Sequence, residues 1–291
     1  MGYCFDLNDD TITNAVRRIA LEEIDTALTC ARARAADAAG QTHALRKNVK
    51  KLRGLIRLLR PRLHGYGLEN AALRDAGRML SGQRDAEVMQ ATLADLARDD
   101  DSPAAEAARA LAAELAARPP EADRTNAMAS FLAAMEALRD RASRWSPKGK
   151  GFSTLEPGLL RTLAAAQGAA RAADDHPDAE AIHQWRKRVK DHWYHARLLR
   201  PIWPEAMAPH IEAADALGEL LGLHHDLAVL RAHLADSRLP PDAQAALDAL
   251  AARRQSGLEH DARRLAARLF ADTPEALVAR WRQWWQVWQA G

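Results

Sequence analysis

Two segments of the chain carry cations at helical spacing. On a helix turning about 100° per residue, His43, Arg46, Lys47, Lys50, Arg53, Arg57 and Arg60 fall within a sector roughly 140° wide. His183, Arg186, Lys187, Lys190, Arg197 and Arg200 fall in the same sector of a second helix. The opposite sides hold Leu45, Val49, Leu52, Leu55, Ile56 and Leu59, and Trp185, Val189, Ala196 and Leu199. Each helix thus has one face to pack and one face of nearly pure cation. No acid occurs between Asp37 and Glu69, and Asp191 alone lies between Glu180 and Glu205. A merely solvated face would mix signs, because like charges three or four apart cost a helix a few tenths of a kcal/mol per pair. Anion capture is the use that accounts for this cost. Arg offers a planar fork for two oxygens, Lys a compact charge, and one helical turn, about 5.4 Å, lets successive side chains grip successive phosphates. His43 and His183 can donate hydrogen bonds there, and a bound polyanion would favour their charged forms.

The elements that position these residues read as helices throughout. Alanine, leucine and arginine dominate and β-branched residues are sparse, which favours helix before any pattern is considered. Apolar periodicity and Pro/Gly punctuation predict helices from about Thr11 to Gly40, 41 to 63, 68 to 98, 104 to 117 and 122 to 145. A second set is predicted at about 156–173, 179–200, 204–236, 240–270 and 274–289. HALRKNVKKLRGLIRLLRP, from His43, aligns without a gap on HQWRKRVKDHWYHARLLRP, from His183. The segment from Leu80 to Met89 parallels Leu221 to Leu230, with His225 standing where the first copy has Arg84. The chain is therefore expected to be all-α, with two similar helical halves, 1–147 and 152–291, related by internal duplication and pseudo-twofold symmetry. Arg84 and His225 are expected to join the basic surface, Asp85 and Asp226 to orient an inward cation, and Arg17, Arg18 and Arg161 to serve as secondary candidates.

His43-x-x-Arg46-Lys47-x-x-Lys50, its twin His183-x-x-Arg186-Lys187-x-x-Lys190, the Arg-Leu-Leu-Arg-Pro runs at 57–61 and 197–201, and Arg84-Asp85 resemble the conserved-histidine α-helical domain (CHAD) family. The resemblance covers nearly the whole chain. It implies two pseudosymmetric four-helix bundles and a central basic cavity or groove. It further implies non-catalytic binding of inorganic polyphosphate and localisation to polyphosphate granules. The implied binding residues are His43, Arg46, Lys47, Lys50, Arg57, Arg60, Arg84, His183, Arg186, Lys187, Lys190, Arg197 and Arg200. His225 departs from the pattern at the second Arg-Asp element. The Glu-x-Glu-x-Lys signature of the triphosphatase domain fused to some relatives is absent.

Other chemistry finds less support. No Gly-rich phosphate loop, nucleophile elbow or catalytic dyad is visible, so no enzyme activity and no cofactor are expected. His192, His195, His224, His225 and Asp226 could be arranged around a metal, but lack a ligand-motif spacing and are read as helix–helix contacts. Trp281, Trp284, Trp285 and Trp288 form an i, i+3, i+4, i+7 stripe, read as core or docking surface. Cys4 and Cys30 make no disulfide framework. The N-terminus lacks a signal peptide and no apolar run spans a membrane, so a cytoplasmic protein is expected. The net charge is only +2, so the polyanion reading rests on the placement of cations. Two other readings stand beside it: a nucleic-acid-binding helical protein, and a metal-dependent phosphohydrolase. Oligomeric state is not legible.

Overall fold

A computed structural model describes residues 2–34, 37–80, 84–98, 101–117, 124–176 and 178–291, and no side chain at 84, 85, 124 or 125. Among the described residues there are eleven α-helices and no strand. The first half holds α1 (Ile12–Arg32), α2 (Ala38–Leu58), α3 (Tyr66–Met79), α4 (Arg84–Leu96), α5 (Pro103–Ala116) and α6 (Arg124–Ala142). The second holds α7 (Glu156–Asp175), α8 (Ala179–Leu198), α9 (Pro204–Leu234), α10 (Pro241–Leu269) and α11 (Pro274–Ala290). Short 3-10 turns occupy Gly151–Thr154 and Arg200–Ile202.

Side-chain caps set the boundaries. Asp37 accepts from the Gly40 amide at 2.9 Å to open α2, and Asp178 accepts from the Ala181 amide at 2.7 Å to open α8. Such caps each contribute about 1 kcal/mol. Asp37 draws residues 38–40 into α2, so α1 ends at Arg32 and not near Gly40. α2 stops at Leu58, short of the expected Leu63, because Pro61 cannot continue it. Gly65 (φ 75°) then turns the chain into α3. The single helix expected over 68–98 is two helices. Leu80 leaves helical geometry (φ −106°, ψ 15°), and the Arg46 guanidinium donates to its carbonyl at 3.1 Å, satisfying a group the helix end releases.

Helices α1, α2, α3 and α6 pack as one four-helix bundle, and α7, α8, α9 and α10 pack in series as another. The hairpin α4–α5 leaves its own half and packs on α9 and α10. There Leu93, Leu111, Leu230 and Leu247 are fully buried in one cluster. A larger core joins α1, α2 and α6 to α7, α8 and α11. The Ser146–Gly151 segment divides the chain in sequence, yet the cores run across that division. The Trp stripe completes this larger core: Trp281 and Trp285 are buried, and Trp284 and Trp288 pack half-buried against it.

The two basic helices cross. α2 packs against α8 at Gly54, where an added Cβ would lie 2.7 Å from Tyr194 Cβ and 2.8 Å from Tyr3 Oη. Only glycine allows this approach. His195 Nε2, fully buried, lies 3.0 Å from the Gly54 carbonyl and donates to it. The N-terminal segment lies across the same crossing: Phe5 N donates to Leu198 O at 3.0 Å and Tyr3 Oη to Lys51 O at 2.8 Å. Among the described residues no helix is long and apolar enough to cross a membrane.

Candidate basic surface

The outer part of α2 carries His43, Lys47 and Lys50 exposed and Arg46 half-buried. The exposed three lie one helical turn or less apart, on the side away from buried Leu45, Val49 and Leu52. Lys47 forms no ion pair among the described residues. The side chains of Arg84 and Asp85 lie outside the described residues.

Toward the crossing, the cations tighten. Arg57 donates to Asp191 of α8, and Arg188 holds the other carboxylate oxygen at 3.0 Å. Asp191 is only 4 % exposed, so one buried acid ties the two basic helices together. Arg53 is half-buried beside Arg57, and burial first, then the Arg57 charge, push its guanidinium down to about 10. It remains charged at neutral pH, and its Nε has no hydrogen-bond partner among the described residues. Arg60 is exposed above the Tyr66 ring at 5.2 Å. Lys51 faces inward and binds Glu23 at 2.7 Å; Asn48 donates to the same carboxylate at 2.7 Å.

On α8, Lys190 binds Asp215 at 2.9 Å and Glu219 at 3.1 Å, both on α9. Trp193 is clasped between Lys190 (4.2 Å) and Arg197 (4.7 Å). Arg197 also lies over Tyr3 at 5.7 Å. Arg197 and Arg200 open into a separate cleft of about 330 Å³ under the N-terminal segment, which Glu212 also lines. The start of α8 differs. Arg186 and Lys187 form no ion pair among the described residues. His183 stacks on His225 of α9 with ring centroids 4.1 Å apart and planes 26° apart. Burial, then His225 and Lys187, push the His183 imidazole down to about 4; burial also lowers His225, against the pull of Asp226.

Two glycines on α9 make room for this face. A Cβ on Gly218 would meet Lys190 Cδ at 2.5 Å, and one on Gly222 would meet Arg186 Nε at 3.0 Å and Nη2 at 3.2 Å. The basic side chains lie flat across a bare stretch of the neighbouring helix.

Several expectations need correction. The cationic faces are not wholly free of carboxylates, since Lys190 and Arg57 are ion-paired. Arg17 spends its Nε on the Trp145 carbonyl at 2.8 Å, and Arg18 pairs with Asp9 at 2.7 Å; both hold the fold. Arg161 is exposed on α7. His183 is depressed without an anion, so any rise on binding starts from a neutral ring. His192 and His195, by contrast, are the helix–helix contacts expected of them, both fully buried: His192 Nε2 lies 2.8 Å from His210 Nε2, and its ring stacks on Trp281. Gly218 and Gly222 shape the surface without having been singled out, and Asp191 stands out in the sequence as an acid but not as a docking residue. The position of Asp191, as the one acid in the second basic segment, was the available signal.

A family model described as the CHAD domain matches residues 18–235. Among solved structures, the CHAD domain from the plant Ricinus communis is similar, with a TM-score of 0.61 at 20 % identity, covering 92 % of this chain and 94 % of that one. PptA from Streptomyces chartreusis is similar with a TM-score of 0.58 at 17 % identity, covering 88 % and 97 %. At these identities the likeness is one of fold. No curated protein matches the sequence. The family match spans most of the chain, including both basic helices and the α9 elements against them, and on that ground the chain belongs to the CHAD domain family.

Proposed function

We propose that this protein captures inorganic polyphosphate, without catalysing a reaction on it, on the basic surface that α2 and α8 present together. The observation that carries this reading is the crossing itself. Gly54 lets α8 approach, and Arg57–Asp191–Arg188 locks the two helices, so a cation of each segment meets at the crossing, and we take one binding surface to extend outward from there. Membership of a family linked to polyphosphate binding supports the same ligand. Among the described residues Lys47, Arg186 and Lys187 lie in no ion pair, and they supply the main charge for a phosphate chain. Arg46, Lys50, Arg53, Arg60 and the two histidines line the path between them.

Binding is electrostatic, driven by counterion release, and falls steeply with salt. The nucleic-acid reading is the weaker one. Trp193 is the aromatic residue of this surface suited to stacking a base, and its ring is already clasped by Lys190 and Arg197, while Tyr194 is buried. The same affinity would carry the protein onto polyphosphate granules. The test is a titration with long-chain polyphosphate and with duplex DNA at two salt concentrations. Tighter polyphosphate binding at both supports the proposal, and equal or better DNA binding overturns it.

A further inference from the structure

The second half departs from the first on the helix that packs against its basic segment. Where the first has Arg84, a permanent cation, the second has His225, and His225 lies on the ring of His183. This is a closely stacked imidazole pair at the start of the array, and the Nδ1 atoms of both rings are buried without a hydrogen-bond partner among the described residues. Neutral imidazoles add no charge to an anion site. Two protonated ones would supply two cations and donors, and an anion beside them is what stabilises that state.

We infer that the second array takes up its phosphate together with protons on the His183–His225 pair, so that polyphosphate capture by this half is coupled to pH through a histidine pair that the first half, with Arg84 in place of His225, lacks. The inference rests on the polyphosphate reading and adds regulation to it.

The surroundings set the direction. On α8, Arg186 and Lys187 oppose protonation of the pair and Glu180 favours it; on α9, Asp226 favours it in His225, and the adjacent His224 is itself lowered by burial and then by His225. From α10, Glu259 stands 3.9 Å from His224 and is held by Arg263, which Asp174 at the end of α7 also holds. α4, packed on α9, carries Glu87 and Asp95. In the free protein burial and the neighbouring cations keep both rings neutral near pH 7. A polyphosphate chain resting on Arg186 and Lys187 cancels those cations and sets its own negative charge beside the pair, which works against the effect of burial. The pair charges on binding, and the complex holds more protons than its components. By linkage the affinity then rises as pH falls.

The experiment is calorimetric titration of long-chain polyphosphate into the full chain at pH 7, in two buffers of different ionisation enthalpy, with dissociation constants at pH 6 and pH 8. We expect a buffer-dependent enthalpy that corresponds to net proton uptake, and an affinity roughly tenfold higher at pH 6. His225→Arg, which installs the cation of the first half, should bind at pH 8 at least as tightly as the parent and lose most of the uptake; this difference also removes any share from His43. The Hε1 resonances of His183 and His225, followed against pH with and without polyphosphate, give the same answer in the unaltered protein. Binding with no buffer dependence, unchanged histidine titrations, or equal uptake by the parent and a folded His225→Arg overturns the coupling alone. No polyphosphate binding at any pH overturns the coupling and the proposed function together.

Discussion

Arg57 of α2 and Asp191 of α8 meet across the crossing of the two basic helices, and Arg188, one turn before Asp191, shares the same carboxylate. The only acid in the second basic segment is thus used to dock that segment on the first. Its removal leaves two guanidiniums facing each other beside Arg53, with no counter-charge at the site. Breaking a buried pair from one side costs about 3 kcal/mol. Asp191→Ala is therefore expected to lower the urea midpoint by an amount matching roughly that loss, with the slope of the transition unchanged. A midpoint equal to that of the parent would show that the crossing is held by Gly54 and the apolar contacts alone.

Ion pairing sorts the cations into structural and available sets, which makes charge reversal informative. Lys190 is held by Asp215 and Glu219, so Lys190→Glu would place three acids together and damage the fold. Lys47, Arg186 and Lys187 have no such partners among the described residues. Replacing each singly with Gln should leave helicity intact and weaken polyphosphate binding. Each replacement should also reduce the slope of log affinity against log salt by roughly one contact. The triple variant should not bind at physiological salt. Unchanged affinity in the triple variant would place the ligand elsewhere, with the cleft beside Arg197 and Arg200 the next place to look.

Much of this was legible in local sequence. The basic and apolar faces of α2 and α8 follow from 3.6-residue periodicity, because both faces lie within one helix, and buried Leu45, Leu52, Trp185 and Val189 sit where that periodicity puts them. The Trp281–Trp285 stripe was legible for the same reason. What escaped depends on partners far along the chain. Asp191 meets Arg57 across 134 positions, and nothing beside Asp191 marks that contact. The break between α3 and α4 was hidden because apolar periodicity continues through Leu80, whose carbonyl is taken by a side chain from another helix. The hairpin α4–α5 has an alanine-rich apolar face that fits many surfaces, so its docking on α9 and α10 was not written in its own pattern.

Gly222 illustrates a conflict between stability and the basic surface. It lies inside α9, where alanine is favoured over glycine by about 1 kcal/mol. An added methyl would come within 3.0 Å of Arg186 Nε, the end of a flexible side chain that can move aside. Gly222→Ala should therefore raise unfolding free energy by about 0.5–1 kcal/mol while weakening polyphosphate binding, because Arg186 is lifted from its place. Thermal unfolding and a polyphosphate titration on one sample check both parts. A variant that is more stable and binds as well as the parent would show that the position of Arg186 does not matter.

Acid should unfold this protein through histidines buried in the core, among them one beneath the crossing of α2 and α8. His192 and His195 are fully buried; burial holds His192 well below its ordinary value and lowers His195 to about 4. In the unfolded chain both titrate near 6.5. Their folded values are depressed, so the unfolded state binds more protons throughout the interval between. Their contribution is fully present above pH 6.5 and is lost as pH falls toward 4, with each group adding up to about 1.4 kcal/mol per pH unit to the slope. Urea unfolding at pH 7 and pH 5 should therefore show a loss of a few kcal/mol, well before the surface carboxylates are protonated. His195→Gln keeps a donor for the Gly54 carbonyl but cannot take up a proton, and its stability should fall less steeply over the same interval. Equal slopes in parent and variant would mean that His195 does not titrate on unfolding, and that the acid sensitivity arises at His192 and His210 or outside the core.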